Sequence, residues 1–411
     1  MRRTALFILF AVLTVVAQAG DKVIIGGVSY QLNDKKQTAT VVKNQQVCQG
    51  DIVIPEKVDG DSLTYTVEEV SSFAFAGQTA ITSIVVPRTV TKIGANAFAD
   101  CSSMKEVTLP KGITELPAEL FAGCSSLETI NLPGTITKIS YGVFRDCRSL
   151  HTFSLPNSIA NLPHHTFAGC SNLQDITLPS GLTKISNSAF EQCTSLDSIS
   201  IPTSVKEIGA NAFRGCSSLS AFRFPTSLTT IAGNLFDGCT SLKDIHIPNS
   251  ITSIAHDAFR GCTSIDSLKL PNSVREIGSS CFKDCNNLRR VVLPNGLTKI
   301  PTAAFQGCSN LERIPLPNSL REIGSKAFDG CASLHSVTIP SSMREIGGDA
   351  FNRCANIRRV YAAGAAPPKI SSSSFDKQTY REATLILRRG TIENYQMNKQ
   401  WCKFLDMEES R

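Results

Sequence analysis

Apolar positions recur in this chain every 23 residues, not with the 3.6-residue period of a long helix or the alternation of a long strand. In the stretch from Leu127 to Ser149, Leu127, Ile130 and Leu132 form an L-x-x-I-x-L pattern that stops at Pro133. Ile136 and Ile139 follow, then Val143 and Phe144 in a slot usually filled by Ala-Phe, then Cys147. The alternation of Ile130, Asn131 and Leu132 predicts a short strand with one buried face. The proline after it has no N–H and ends the strand ladder at the same point in each turn. Ile136 and Ile139 predict a second inward edge, and the Phe segment predicts a short helical turn. Phenylalanine keeps the interval from Phe75 through Phe98, Phe121 and Phe144 to Phe351; cysteine keeps it from Cys101 to Cys354 and proline from Pro87 to Pro340. Such regularity marks a solenoid, whose turns bury their apolar sides only by stacking on one another. Stacked strands then form a parallel sheet, and the phenylalanines a column of rings.

The pattern fails at both ends. Residues 20–69 show alternation over 28–32, 38–42 and 51–55, with turn sequences at 33–36 and 59–62, and predict an N-terminal β cap. The first rung has Gln78 where cysteine is expected. After Tyr361 comes a small, proline-containing stretch at 362–368, and Phe375 follows Phe351 by 24 residues. Residues 384–387 are strand-like, and 391–404 predict a short helix carrying Tyr395, Trp401 and Phe404. We read 362–411 as a closing cap, with a Tyr/Trp ligand site as the alternative. The repeats span 70–361.

Residues 1–19 read as a secretory signal: Arg2 and Arg3, an apolar run from Ala5 to Val16, and Ala17-Gln18-Ala19 before Gly20. The run is shorter than the ~20 residues of a membrane span. No cysteine stands at the cleavage point to take a lipid. These features predict export to the cell surface, the periplasm or the medium. The 41 basic and 35 acidic side chains are too nearly balanced to point to nucleic acid.

Fifteen cysteines in an exported chain suggest a disulfide framework, but twelve of them share one repeat position. That makes a ladder with a thiol per rung at ~4.8 Å, with parallel Cβ vectors that suit a bridge poorly. We therefore expect small buried residues. Cys48, Cys281 and Cys402 fall outside the ladder. Cys281 takes a usual alanine slot, and a Cys281–Cys285 metal or redox pair is its alternative reading.

The motifs Leu-x-x-Ile-x-Leu-Pro, Ile-x-x-Ile and Ala-Phe-x-x-Cys-x-x-Leu, as in Ala189-Phe190-Glu191-Gln192-Cys193-Thr194-Ser195-Leu196, resemble the BspA-like, or Treponema pallidum-type, leucine-rich repeats. The resemblance implies an α/β leucine-rich-repeat solenoid with a parallel sheet on the concave face and short helical turns on the convex face. It also implies a cell-surface or secreted adhesion and recognition protein, such as occurs in host-associated bacteria and in some protozoa.

Catalysis needs unlike groups converging within hydrogen-bond reach, and turns of equal length offer few such places. No Gly-x-Ser-x-Gly, His-Glu-x-x-His or phosphate loop occurs. His164-His165 is the one close histidine pair, and no ligand partners are placed near it. No cofactor or metal is expected. The residues flanking the central Ile of each strand face outward. They are small and polar in the middle of the chain, from Thr129 to Ser200, and become basic later: Arg223, His246, Lys269, Arg290, Arg313 and Arg359, with Tyr361 at the end and Arg289 and Arg358 alongside. Asp244 interrupts the run. Like charges on neighbouring strands repel, so an acidic partner would relieve the column; solubilising the sheet is the alternative use. A second column, including Lys92, Glu115, Lys138, Lys184, Glu207, Glu276, Lys299 and Glu322, alternates in sign and reads as a self-neutralising edge. The expectation is a non-enzymatic adhesion protein that recognises a host or extracellular-matrix protein, or an acidic glycan, through the concave sheet. The alternatives are a self-associating structural protein and, third, a secreted hydrolase.

Overall fold

The structure, a computed structural model, describes residues 22–410; the signal-peptide reading of 1–19 lies outside the described residues. The chain divides into two compact units, one ending at Ile159 and the other starting at Ala160.

The first unit opens on an antiparallel meander of Lys22–Ile25, Val28–Asn33 and Thr38–Val41. Thr38–Val41 then runs parallel to Thr64–Val70, which pairs in turn with Lys92–Ile93. Gln49–Val53 lies parallel to Ala80–Val85, and Glu106–Thr108 follows on the other side. The N-terminal segment thus supplies the template strands on which the first repeats build. Gln78 has no earlier repeat to contact. Its carboxamide accepts from Cys48 N at 2.8 Å and donates to Gln46 O at 3.0 Å, tying the first rung to the preceding loop.

Both units are β-solenoids built from the same turn. The Ile-x-x-Ile positions form two-residue parallel strands, such as Lys184–Ile185 beside Glu207–Ile208 and Lys299–Ile300 beside Glu322–Ile323. The Leu-x-x-Ile-x-Leu positions form three- or four-residue strands, such as Ala221–Arg223 beside Asp244–His246. This second ladder is less continuous than expected. At 313–315 it shrinks to a single bridge between Arg290 and Arg313, because Pro315 has no N–H to contribute.

The Phe segments are turns rather than short helices. Their N–H groups reach to the next rung instead of four residues back: Phe213 N donates to Leu235 O at 3.1 Å and Gly215 N to Asp237 O at 2.7 Å. The residues two before and two after each Phe take left-handed backbone, for example Asn211 at φ 57° and Gly215 at φ 71°. That conformation carries a steric cost for residues with a Cβ, which accounts for the frequent Gly-Cys ending of the motif. In the second unit the rings stack from Phe167 to Phe375 with centroids 5.1–6.0 Å apart. In the first they stack from Phe75 to Phe144 at 5.6–5.9 Å.

The cysteines are free thiols, and those of the ladder are fully buried. They do more than fill space. Sγ of Cys124, Cys216, Cys262 and Cys331 lies 3.0–3.3 Å from the carbonyl oxygen of the phenylalanine 26 residues earlier. Burial pushes these thiols up, to about 12 for Cys216 and Cys285, so they stay protonated and donate. Cys281 is buried in its alanine slot. A further stitch lies beyond several of the prolines, where a serine hydroxyl donates to the previous turn: Ser204 to Leu182 O at 2.6 Å and Ser273 to Ile251 O at 2.7 Å.

The closing segment extends the stack. Phe375 lies 5.1 Å from Phe351 despite its extra residue, and Thr384–Leu387 and Asp406–Glu409 add two parallel strands to Arg359–Ala362. Tyr380, Trp401 and Phe404 cover the last ring. Trp401 Nε1 donates to Pro368 O at 2.8 Å and Tyr395 Oη to Gly364 O at 3.0 Å. Both rings are buried, which fits a packed cap rather than a ligand site.

Candidate binding face

All nine basic-face residues singled out from the sequence lie in the second unit, and all but the half-buried Tyr361 are exposed. Their strands are positioned by the buried central residue of each rung, Phe222, Leu268, Val291 and Val360, which forces its two neighbours outward. Register resolves the run into two columns. One carries Ala221, Asp244, Ser267, Arg290, Arg313, Ser336 and Arg359; the other carries Arg223, His246, Lys269, Val292, Thr338 and Tyr361.

The residues are not electrostatically equivalent. Arg223 is neutralised across the two columns: its guanidinium donates to both carboxylate oxygens of Asp244, at 2.9 and 2.5 Å. That hydrogen bonding holds the Asp244 carboxyl below its ordinary range. Arg358 lies 3.5 Å from Glu382 and donates to Ala355 O. Arg289 belongs to a flanking column in which its backbone joins Asp266 and Glu312, so its surroundings are of mixed sign. On these two columns the arginines and lysine without an ion-pair partner among the described residues are Lys269, Arg290, Arg313 and Arg359. Arg290 and Arg313 sit directly opposite each other on adjacent rungs.

In the second column opposite signs pair where they meet, and Glu322 and Glu345, which stand opposite each other, each pair with a lysine on the far side. Lys138 pairs with Glu115 at 3.1 Å in the first unit; in the second, Lys184 pairs with Glu207 at 2.8 Å, Lys299 with Glu322 at 2.7 Å and Lys369 with Glu345 at 3.0 Å. Sequence reasoning missed a third polar column, on the residue after each repeat Phe from Phe190 onward, where Glu191, Arg214 and Asp237 form a chain of ion pairs at 3.3 and 3.1 Å. There the buried Asp329 accepts from Arg353 Nε at 2.9 Å, Gln306 at 3.0 Å and Asn352 at 3.1 Å. Burial works to raise its carboxyl, but the bonds from Arg353, Gln306 and Asn352 outweigh that and hold it low. Acid and base alternating at that repeat position was the available signal. His164 and His165 are exposed on their turn, and among the described residues no cluster of metal-ligating side chains occurs.

Beside the uncompensated charge is an open hollow of about 540 Å³, formed where three successive strands run into their Pro-Asn turns. Lys269, Val292, Asn272 and Asn295 line it, with Leu270, Pro271 and Leu293 beneath. Val292 is 52% exposed at an outward position held by Lys269 on the preceding rung and by Pro315 on the next.

A stack of near-identical turns with a polar outer strand face defines a leucine-rich-repeat solenoid. The chain belongs to the family described as the BspA type leucine rich repeat region, which matches over residues 68–197, 138–266 and 229–358. It is similar to a leucine-rich repeat protein of Bacteroides ovatus at 27% identity, covering 95% of this chain and all of that one with a TM-score of 0.84. It is also similar to a leucine rich cell surface protein of Faecalibacterium prausnitzii at 29% identity, covering 84% of this chain and 95% of that one with a TM-score of 0.61. The pneumococcal vaccine antigen PcpA shares the fold at 18% identity, over 96% of this chain and all of that one, with a TM-score of 0.55. No curated protein matches the chain. Among the described residues no helix is long and apolar enough to cross a membrane. The family is one of surface proteins and is consistent with a protein-binding or surface role.

Proposed function

We propose that the protein is an exported, non-catalytic adhesion protein that captures an acidic extracellular protein on the strand face between Lys269 and Arg359. The observation that carries this reading is a contrast within one unit. On the Lys/Glu edge the facing Glu322 and Glu345 each hold a lysine, Lys299 and Lys369, while Arg290 and Arg313 face each other with no ion-pair partner among the described residues. An uncompensated like-charge pair destabilises the free protein and is relieved when a partner supplies carboxylates. A soluble face needs only mixed charge. The likeness to a cell surface protein supports placement outside the cytoplasm.

The test is capture of acidic extracellular-matrix proteins on the immobilised protein. The triple variant Arg290→Glu, Arg313→Glu, Arg359→Glu should lose capture at physiological salt, and wild-type capture should weaken as salt rises. Equal capture by both proteins would sink the proposal. Self-association keeps one observation in its favour, the acidic terminal strand with Asp406 and Glu408 exposed, which a second copy could set against the basic face. Sedimentation of the wild type at low and high salt separates the two readings.

A further inference from the structure

The hollow beside Val292 says what kind of acidic partner the face fits. A purely electrostatic platform gains nothing from an apolar residue at its centre. Here Val292 stands on the outward face, opposite Lys269 on the preceding rung. Arg290 is two residues away on the same face of the same strand, and Arg313 lies opposite Arg290 on the next rung. Along its own column Val292 lies between Lys269 and Pro315, with Arg290 and Arg313 beside it in the neighbouring column. Its floor is already packed, since Leu270 and Leu293 are 2% and 5% exposed, so only the upper surface of the hollow remains to be covered. At its rim, Asn272 Oδ1 accepts the backbone N–H of Asn295 at 3.1 Å. That bond orients the carboxamide, whose NH₂ has no hydrogen-bond partner among the described residues.

We propose that this hollow takes an apolar side chain from an extended acidic protein segment, with carboxylates on either side of that side chain meeting Lys269 and the Arg290–Arg313 pair. The inference rests on the binding-face reading above. In an extended chain, side chains two residues apart project to the same side about 7 Å apart, a distance that long lysine and arginine side chains on neighbouring rungs at ~4.8 Å can match. A sulfated glycan satisfies the cations but brings no apolar group to cover Val292; a peptide brings both and offers backbone carbonyls to Asn272.

The test uses fluorescence anisotropy with a labelled Glu-Gly-Leu-Gly-Glu peptide, its Glu-Gly-Ser-Gly-Glu counterpart, and heparin as competitor. The leucine peptide should bind wild-type protein about tenfold more tightly than the serine peptide, equivalent to ~1.4 kcal/mol. Val292→Ser should bring the two peptides level, Val292→Leu should keep the preference, and the Arg290→Glu, Arg313→Glu double variant should lose both. Equal binding of the two peptides, or a preference that survives Val292→Ser, overturns the hollow's assignment while the charge-reversal result still judges the basic face independently. Heparin binding that is tighter than either peptide and indifferent to Val292→Ser overturns it in favour of a glycan. No binding of either peptide at millimolar concentration overturns it outright.

Discussion

Replacing one ladder cysteine, Cys262, tests whether the repeated thiol is a hydrogen-bond donor or only a small apolar filler. Its side chain is fully buried, with Sγ 3.2 Å from Phe236 O. That carbonyl also accepts the N–H of Cys239 at 3.0 Å, so losing the thiol does not orphan it. Cys262→Ala removes about one methylene-equivalent of buried apolar surface, ~0.8 kcal/mol. A residual cavity of roughly 20–30 Å³ adds ~0.5–0.7 kcal/mol, and the lost donor about 0.5 kcal/mol, for a total near 2 kcal/mol. Cys262→Ser keeps a donor aimed at the same oxygen, so it should cost less than the alanine change. Cys262→Val adds a branch against neighbouring rungs and should cost about 1–3 kcal/mol. Urea unfolding followed by far-ultraviolet circular dichroism and by Trp401 fluorescence measures all three; agreement between the probes checks that unfolding is cooperative in a stack of this kind. If the serine variant is less stable than the alanine variant by 1 kcal/mol or more, the donor argument is wrong and the cysteine is filler.

Two further outcomes follow from the polar groups. In the folded protein Ellman's reagent should react quickly with Cys402, the exposed thiol, and slowly with the buried ones; all fifteen should react after denaturation, and rapid native reaction of many thiols would contradict the sealed ladder. Asp329→Asn should destabilise by about 1–2 kcal/mol at pH 7. Because the native Asp329 carboxyl is held below its ordinary value, its stabilisation is present above pH ~3.9 and is lost as the pH falls through the lower native value. The gap between wild type and variant, measured as urea midpoints, should therefore shrink at pH 3; a gap unchanged with pH refutes the linkage.

Much of the scaffold was legible because stacking turns a local pattern into a global one. Phe190, Phe213 and Phe236 repeat at one position, so their rings must meet in any stack that preserves register, and they do. Lys184 and Glu207 pair for the same reason. What sequence spacing hid was the direction of hydrogen bonds within the turn. An Ala-Phe pair before Gly-Cys suits a helical start, yet Phe213 N donates to the next rung, and left-handed residues on either side exclude a helix. The thiol-to-carbonyl and serine-to-carbonyl stitches were hidden likewise, since they depend on side-chain reach between turns.

The candidate binding face divides along the same line. From the amino-acid order alone came the solenoid, the outward position of Arg290, Arg313 and Arg359, and the contrast between an alternating and a basic column. Those follow from a strict period, which assigns each residue a face and a neighbour. Tertiary structure decided which charges remain uncompensated. Arg223 reaches diagonally to Asp244 and Arg358 to Glu382 in the closing segment, contacts set by rotamers and by elements outside the repeat. It also decided that Val292 lies exposed beside Lys269 at the rim of a hollow, because the space left over where strands meet turns depends on how three rungs pack together and belongs to no single repeat.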